Sequence, residues 1–590
     1  ATVTGDQVTG TPADQLLGYR WDGTKFVQIP FQVDEVFARY LNNNYSGFGI
    51  YSGTDKHTTY AYDREGFRFT QNSGENGCVA AMKAGDKPAA DPVKGLDSND
   101  ELAFMAADAG PMAPAGAALP AGIDGVKLVT ITDPTNPQAE PSFVYVMRAA
   151  ADGPKPAFDA RNGYVDYQRD ENADTLVFSE SSYDNYGPAI QGPYCTADGQ
   201  PVLDADGNRK VGPRKPLDGT TIRTDRYEYR YDGRWLMTSI RIDKETPGRS
   251  YGPDLVDRWK ARAFAQDPGS ETPCCGYEEE DTNWGGSSSL LGERVGPVRA
   301  IRETWGADSG TNVIRRETFY RERMVQKNWL RVHVIPPLDG IYAQWDFNAG
   351  AVNRFFNANN PQGVAIDGRN DEVYGNWDDP CNSRWDDNER TELDTAYRNL
   401  YQATPLCSSP YHQSIDPGDA TFADANASLG WSQISGPDGG IVDRIHAQTT
   451  DQTPGGLVQG LAAVPYYRDD ACFDDGTGSN PGPVLNLRSA NEQMSYQGTP
   501  RRCWKGEKDD LNTPRYFQGS IGTHGLHLLF LADSDNARTT VPVTEIVSDW
   551  DLVMLPPSQV VDEAGDPINV GEQYGRPLEK PLVAVVTELP

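Results

Sequence analysis

Apolar and polar residues alternate with a period of two through much of this chain, the pattern of strands with one face buried. The clearest case is Arg226–Ile242, RYEYRYDGRWLMTSIRI. Tyr227, Tyr229 and Tyr231 share a face, Asp232-Gly233 turns the chain, and Trp235, Met237 and Ser239 alternate with Leu236, Thr238 and Ile240. A second hairpin is predicted around Trp21-Asp22-Gly23-Thr24. Leu102 and Phe104 in Leu96–Gly110 predict a buried strand entered from an acidic turn. Val126–Thr132 and Phe143–Ala149 read as strands joined at Asp133-Pro134, and Tyr164–Ser179 reads as a strand pair. Val298–Thr304, Val313–Tyr320 and Trp329–Ile335 predict three consecutive antiparallel strands. His524–Ala532, Thr540–Leu555 and Pro581–Thr587 predict the last ones.

Helical spacing is confined to two segments. In Asp254–Gln266, Pro253 stands at the entry and Val256, Trp259 and Ala263 line one face. In Asp386–Thr404, Asp386 and Glu389 have capping-box spacing ahead of a stripe of Leu393, Ala396, Tyr397, Leu400 and Tyr401. No repeat of fixed period appears, which argues against a propeller or solenoid. The expected fold is mainly β: one large antiparallel β-sandwich with long ordered loops and a few short helices. It subdivides into an N-terminal β region (1–220), a central sheet (221–350), a loop and helix insertion (351–510) and C-terminal strands returning to the body (511–590).

Composition fits many short strands and structured loops, with 59 Gly and 43 Pro in 590 residues. A net charge of −32, spread along the chain, opposes nucleic acid and anionic membranes as partners. No apolar run is long enough to span a bilayer. The eight cysteines contain no C-x-x-C pair, and an even count in an acidic, loop-rich chain reads as disulfides in an oxidising compartment. Sequence neighbours suggest Cys381 with Cys407 and Cys472 with Cys503. Cys274 and Cys275 then bond each other or split to Cys78 and Cys195, and spacing does not decide between these. The chain starts at Ala1 and is expected to be a mature secreted or cell-surface protein whose signal has been removed.

Some of the acidic residues have the spacing of calcium ligands. Asp469, Asp474 and Asp475 lie in an acidic, Gly-rich loop, and Asp204, Asp206 and Asn208 surround Gly207. The second group also reads as a plain Asp-Gly turn, since the closing glutamate of an EF-hand is missing. Asp97, Asn99 and Glu101 present the same choice between a cation loop and an Asx-turn. Calcium is therefore the one expected cofactor.

The stretch GPVRAIRETWGADSGTNVIRRETFYRER, with LRVHV after it, resembles a strand set in galactose-mutarotase-like super-β-sandwiches. Those occur in polysaccharide lyases, glycoside hydrolases and carbohydrate-binding scaffolds. IPFQVDEV, GLDSNDELAFMAADAG and GPVRAIR, in that order, also resemble uncharacterised secreted bacterial proteins, which implies no function. No catalytic set transfers residue by residue. On the predicted sheet, His333 and Arg331 share a face, and with Tyr320 they form the candidate catalytic group. An arginine offsets a sugar carboxylate while His or Tyr moves a proton. The competing reading of His333 is a half-exposed strand histidine. Trp284, Trp305, Trp329 and Trp345 suit sugar stacking or core packing. Glu278, Glu279, Glu280 and Asp281, adjacent in sequence, do not face one another as a glycosidase pair must. G-x-S-x-G, H-E-x-x-H, P-loop and Rossmann signatures are absent. The leading expectation is extracellular binding or processing of polysaccharide. The alternative is a non-catalytic surface or matrix protein that assembles with itself or a protein partner.

Overall fold

The computed structural model describes residues 8–40, 56–65, 90–169, 191–193, 200–213, 220–231, 237–264, 289–308, 311–332, 340–348, 351–357, 361–366, 428–448, 461–468, 523–530 and 545–588. These residues build a mainly β molecule of antiparallel sheets. The largest sheet has ten strands. From one edge they are Val364–Ala365, Arg354–Asn357, Ser428–Gly436, Gly439–Gln448, Glu545–Leu555, Arg323–Val332, Thr311–Phe319, Ala300–Asp308, Ser289–Val295 and Arg64–Glu65. Glu545–Leu555 thus lies between strands that precede it by about a hundred and more than two hundred residues.

A five-stranded sheet packs on one face of the large one, in the order Asp166–Arg169, Thr220–Arg223, Tyr227–Tyr231, Met237–Asp243, Tyr251–Asp254. Its tyrosine face is the one read from sequence. Tyr227, Tyr229 and Tyr231 join Ile240 and Ile242 in a single core with Phe319, Met324, Ile441, Ile445, Trp550 and Met554 of the large sheet. Tyr229 meets Phe319 edge-on at 5.1 Å between ring centroids, and its hydroxyl donates to Glu317 Oε1 (3.2 Å). A four-stranded sheet of Val256–Phe264, Gly340–Phe347, Thr523–Phe530 and Leu461–Arg468 contributes to the same core. There Trp345 meets Trp550 edge-on at 6.2 Å. Two layers around one apolar core make a β-sandwich.

The segment expected as a helix at Asp254–Gln266 is two strands, Tyr251–Asp254 and Val256–Phe264. The second pairs with Gly340–Phe347 over its whole length. Trp259, Ala261 and Ala263 alternate with Arg258, Lys260 and Arg262, a period of two that outweighs the coarser helical spacing. Pro253 is tolerated because its strand lies at the edge of its sheet. The expected helix at Asp386–Thr404 lies outside the described residues. Two α-helices occur among those described, Pro557–Val560 and Gly571–Glu579.

A separate N-terminal sheet runs Phe26–Ile29, Leu16–Trp21, Ser142–Ala149, Ile123–Thr132, Val583–Glu588. The predicted turn at Asp22 is present, with Asp22 Oδ1 accepting from the Thr24 and Lys25 amides (2.8 and 2.9 Å). The C-terminal stretch therefore returns to both bodies, through Glu545–Leu555 and Val583–Glu588.

Charged groups bind this sheet region to the large one. Asp34 is fully buried and accepts from Arg294 Nε (3.1 Å), Arg299 Nε (2.8 Å) and Gln32 Nε2 (2.8 Å). Gln32 Oε1 in turn accepts the amides of Val298 and Arg299 (3.1 and 3.0 Å). Close approach also demands glycine at position 292, where an added Cβ would fall 2.1 Å from the Tyr62 ring. Gly292→Ala is expected to cost about 1–3 kcal/mol through forced repacking. Chemical denaturation should show it as a lower midpoint.

Candidate functional site

Buried charge is concentrated on the inner face of the large sheet, where Glu293, Arg302, Glu317 and Gln326 lie opposite one another on successive strands. Glu293 is fully buried and meets Arg302 Nη1 (3.2 Å), the Tyr167 hydroxyl, Arg169 and Arg64. Burial pushes its carboxyl up, but Arg302, Arg169 and Arg64 outweigh that and hold it below the usual range. Burial raises the Glu317 carboxyl, against the pull of Arg315 and Arg302. Both carboxylates are closed between the sheets, which suits them to fixing the sandwich and denies them a polymeric substrate.

The outer face differs. The register sets Glu303 opposite Arg316, Arg316 opposite Lys327, Lys327 opposite Asp549 and Asp549 opposite His446. Side chains directly opposite in a sheet project to the same face, so these five residues form one row across five strands. The row runs between two covers. At one end Glu303 is fully buried beneath Thr59 and Tyr62, which hydrogen-bond its carboxylate, and Arg316 donates to it (2.8 Å) and to the Thr58 carbonyl (2.6 Å). At the other end helix Gly571–Glu579 lies on the sheet. Gly571 and Gly575, one turn apart, let its backbone rest on the Trp431 ring, and Trp431 Nε1 donates to Glu572 (3.2 Å). Arg444 Nη1 donates to the Leu578 carbonyl (3.2 Å) beneath it.

Among the described residues the middle of the row lies open between these covers. Lys327 is 35% and Asp549 29% exposed, and they pair at 3.3 Å. Trp329, the next outward residue on the Lys327 strand, has the Lys327 ammonium 5.4 Å and the Arg316 guanidinium 4.7 Å from its ring centroid. Arg323 and Asp551 add a second ion pair on the same two strands. The strip thus offers an indole, hydrogen-bond donors and acceptors in alternation, and an imidazole. His446 is half-buried, and burial together with Arg444 and Lys327 lowers its pKa from 6.5 against the opposing effect of Asp549. The shift favours the uncharged ring, which can accept a proton.

That shift has a sign for stability. The unfolded chain, with its histidine near 6.5, binds the proton more readily than the folded one, so stability falls as pH drops through 6.5 toward the folded value. Titration of the His446 ring by NMR is expected to give a midpoint below 6.5. His446→Gln should flatten this part of the pH–stability curve.

Of the catalytic group singled out from sequence, Tyr320 and Arg331 lie among the described residues, and they lie apart. Tyr320 accepts from Arg299 Nη1 (2.9 Å) at the entry to strand Arg323–Val332, and its carbonyl accepts from the Tyr227 hydroxyl (2.8 Å). Arg331 lies near the other end of that strand, opposite Asn312 and Glu545, roughly 25 Å away at 3.3 Å per residue. Tyr320 and Arg331 therefore do not meet. His333 lies outside the described residues, as do all eight cysteines, Asp469, Asp474 and Asp475. Asp204 Oδ1 accepts the amides of Asp206 and Asn208 (3.0 and 2.9 Å) in an exposed turn. Asp562 repeats that turn with Ala564 and Asp566 (2.8 and 3.0 Å). Asp97 and Asp100 likewise turn inward, onto the amides of Asn99, Val36 and Asp97 (3.0, 2.8 and 2.9 Å). Among the described residues no three His, Cys, Asp or Glu side chains converge as a metal cage, and no helix is long and apolar enough to cross a membrane.

The row through His446 had one signal in the sequence. Arg323, Val325, Lys327 and Trp329 alternate with Met324, Gln326 and Asn328, which marks a face of charge and indole. Its partners come from strands more than a hundred residues away. No family model matches the chain, and no curated protein matches it either.

Proposed function

We propose that this protein binds or processes polysaccharide outside the cell along the open strip formed by Trp329, Lys327, Asp549 and His446. The observation that carries this reading is a half-buried imidazole directly opposite a carboxylate, in line with a lysine beside a tryptophan, on a floor that lies open among the described residues. Sugars present apolar ring faces and rims of hydroxyls. An indole with alternating donors and acceptors answers both. Lys327 and Arg323 could offset the carboxylate of an acidic sugar, and His446 could take a proton from the ring it holds.

The test is a panel of acidic and neutral polysaccharides, scored for binding and for release of reducing ends. It is run with calcium and after chelation, since the 469–475 loop carries the calcium expectation. Trp329→Ala is expected to weaken binding roughly tenfold, the loss of one stacking contact. His446→Ala should abolish release where the native chain shows it, at an unchanged melting midpoint. No binding and no release across the panel would overturn the reading. The edge strand described next favours the alternative, a protein that assembles with itself.

A further inference from the structure

Val583–Glu588, the outermost strand of the N-terminal sheet, pairs through one edge only, with Ile123–Thr132. Among the described residues nothing pairs with its other edge. Edge strands of folded proteins are commonly blunted by lysine, proline or a bulge. This one reads VAVVTE, has none of these, and keeps a regular register over its six residues. Ala584 and Val586 pack against the core. Val583 and Val585 are 46% and 51% exposed, and Leu582 ahead of them is 50% exposed. The opposite edge of the sheet is dressed, because Gln28 donates to the Lys155 carbonyl (3.2 Å) and accepts from the Ala157 amide (2.6 Å). One open edge per sheet permits a closed pair rather than a growing fibre.

We propose that this edge is a self-association site. Val583–Val585 pairs antiparallel with the same three residues of a second copy, about a two-fold axis at Ala584, with Leu582 and Val586 flanking the pair, and the two five-stranded sheets join edge to edge. The segment is self-complementary in that register. Val583 falls opposite Val585 of the second copy, twice over, so the exposed valines meet on one face. Exposed Lys580 falls opposite Glu588 of the second copy, whose other oxygen already meets Lys127. A two-fold axis normal to the sheet keeps inward residues inward in both copies.

Two magnitudes set the strength. Strand edges alone give a contact below about 1,200 Å², the class of weak association. Each copy carries a charge of −32, so repulsion opposes pairing until salt screens it. The dimer is therefore expected with a dissociation constant of roughly 10 μM to 1 mM, tighter at high salt.

Sedimentation equilibrium of the full chain over that range, in low salt and in about 0.5 M salt, tests this. A monomer–dimer equilibrium that tightens with salt is expected. Val585→Lys should weaken it at least about tenfold by placing a charge in the apolar row. Lys580→Glu, an exposed change ahead of the strand, should weaken it severalfold. Matching melting curves would show that each variant is folded. A chain that stays monomeric throughout, forms larger assemblies, or gives a dimer indifferent to both substitutions would overturn the proposal. None of these outcomes depends on whether the His446 strip binds sugar.

Discussion

Glu293→Gln is expected to lower the stability of the chain by about 3–5 kcal/mol, although it removes a charge and leaves the volume nearly unchanged. Glu293 and Arg302 both have no exposed side-chain surface, and Arg169 and Arg64 lean on the same carboxylate. Without that carboxylate Arg302 keeps its charge in an interior that solvates it poorly, and the remaining arginines repel one another. The cost therefore comes from the cation left behind. A double change, Glu293→Leu with Arg302→Met, removes both members and should recover much of the loss. Denaturant midpoints of the three proteins check this. If the single variant matched the native chain, the carboxylate would not be what holds these arginines.

Trp550→Ala should cost a similar amount, about 3–5 kcal/mol, for a different reason. Trp550 is fully buried in the middle of the large sheet, and its indole faces Trp345 of the four-stranded sheet and donates to the Ser548 hydroxyl (3.3 Å). Alanine would leave a cavity at the point where three sheets meet. Trp550→Phe keeps most of the apolar volume and should lose considerably less. In a chain this long the transition need not be two-state, so near-ultraviolet dichroism and fluorescence should be followed together. Equal midpoints for Ala and Phe would mean that the site relaxes around the gap.

Much of the architecture is legible in the residues. Three alternating tyrosines and an Asp-Gly turn predict one layer of the sandwich, and the three strands after Val298 form the heart of the other. The segment from Leu255 misled because Val256, Trp259 and Ala263 satisfy a helix coarsely while Trp259 to Ala263 satisfy a strand at every residue. The site was harder to read. A row running Glu303, Arg316, Lys327, Asp549, His446 exists only once five strands take their register, and register is a property of pairing that no single segment encodes. Tyr320 and Arg331, eleven positions apart in sequence, are separated because the extended strand Arg323–Val332 carries Arg331 away from the turn that holds Tyr320.

The position of Glu545–Leu555 bears on how the molecule comes into being. The strands from Ser289 to Val332 close into one half of the large sheet by local turns, and Ser428–Gln448 form part of the other half. Among the described residues only Glu545–Leu555 joins the halves. During synthesis the described strands of both half-sheets must wait for this shared neighbour until more than nine-tenths of these residues have left the ribosome. A nascent chain halted before residue 545 should be easily digested by protease and bound by chaperones, and one extended past 555 should gain resistance in a single step.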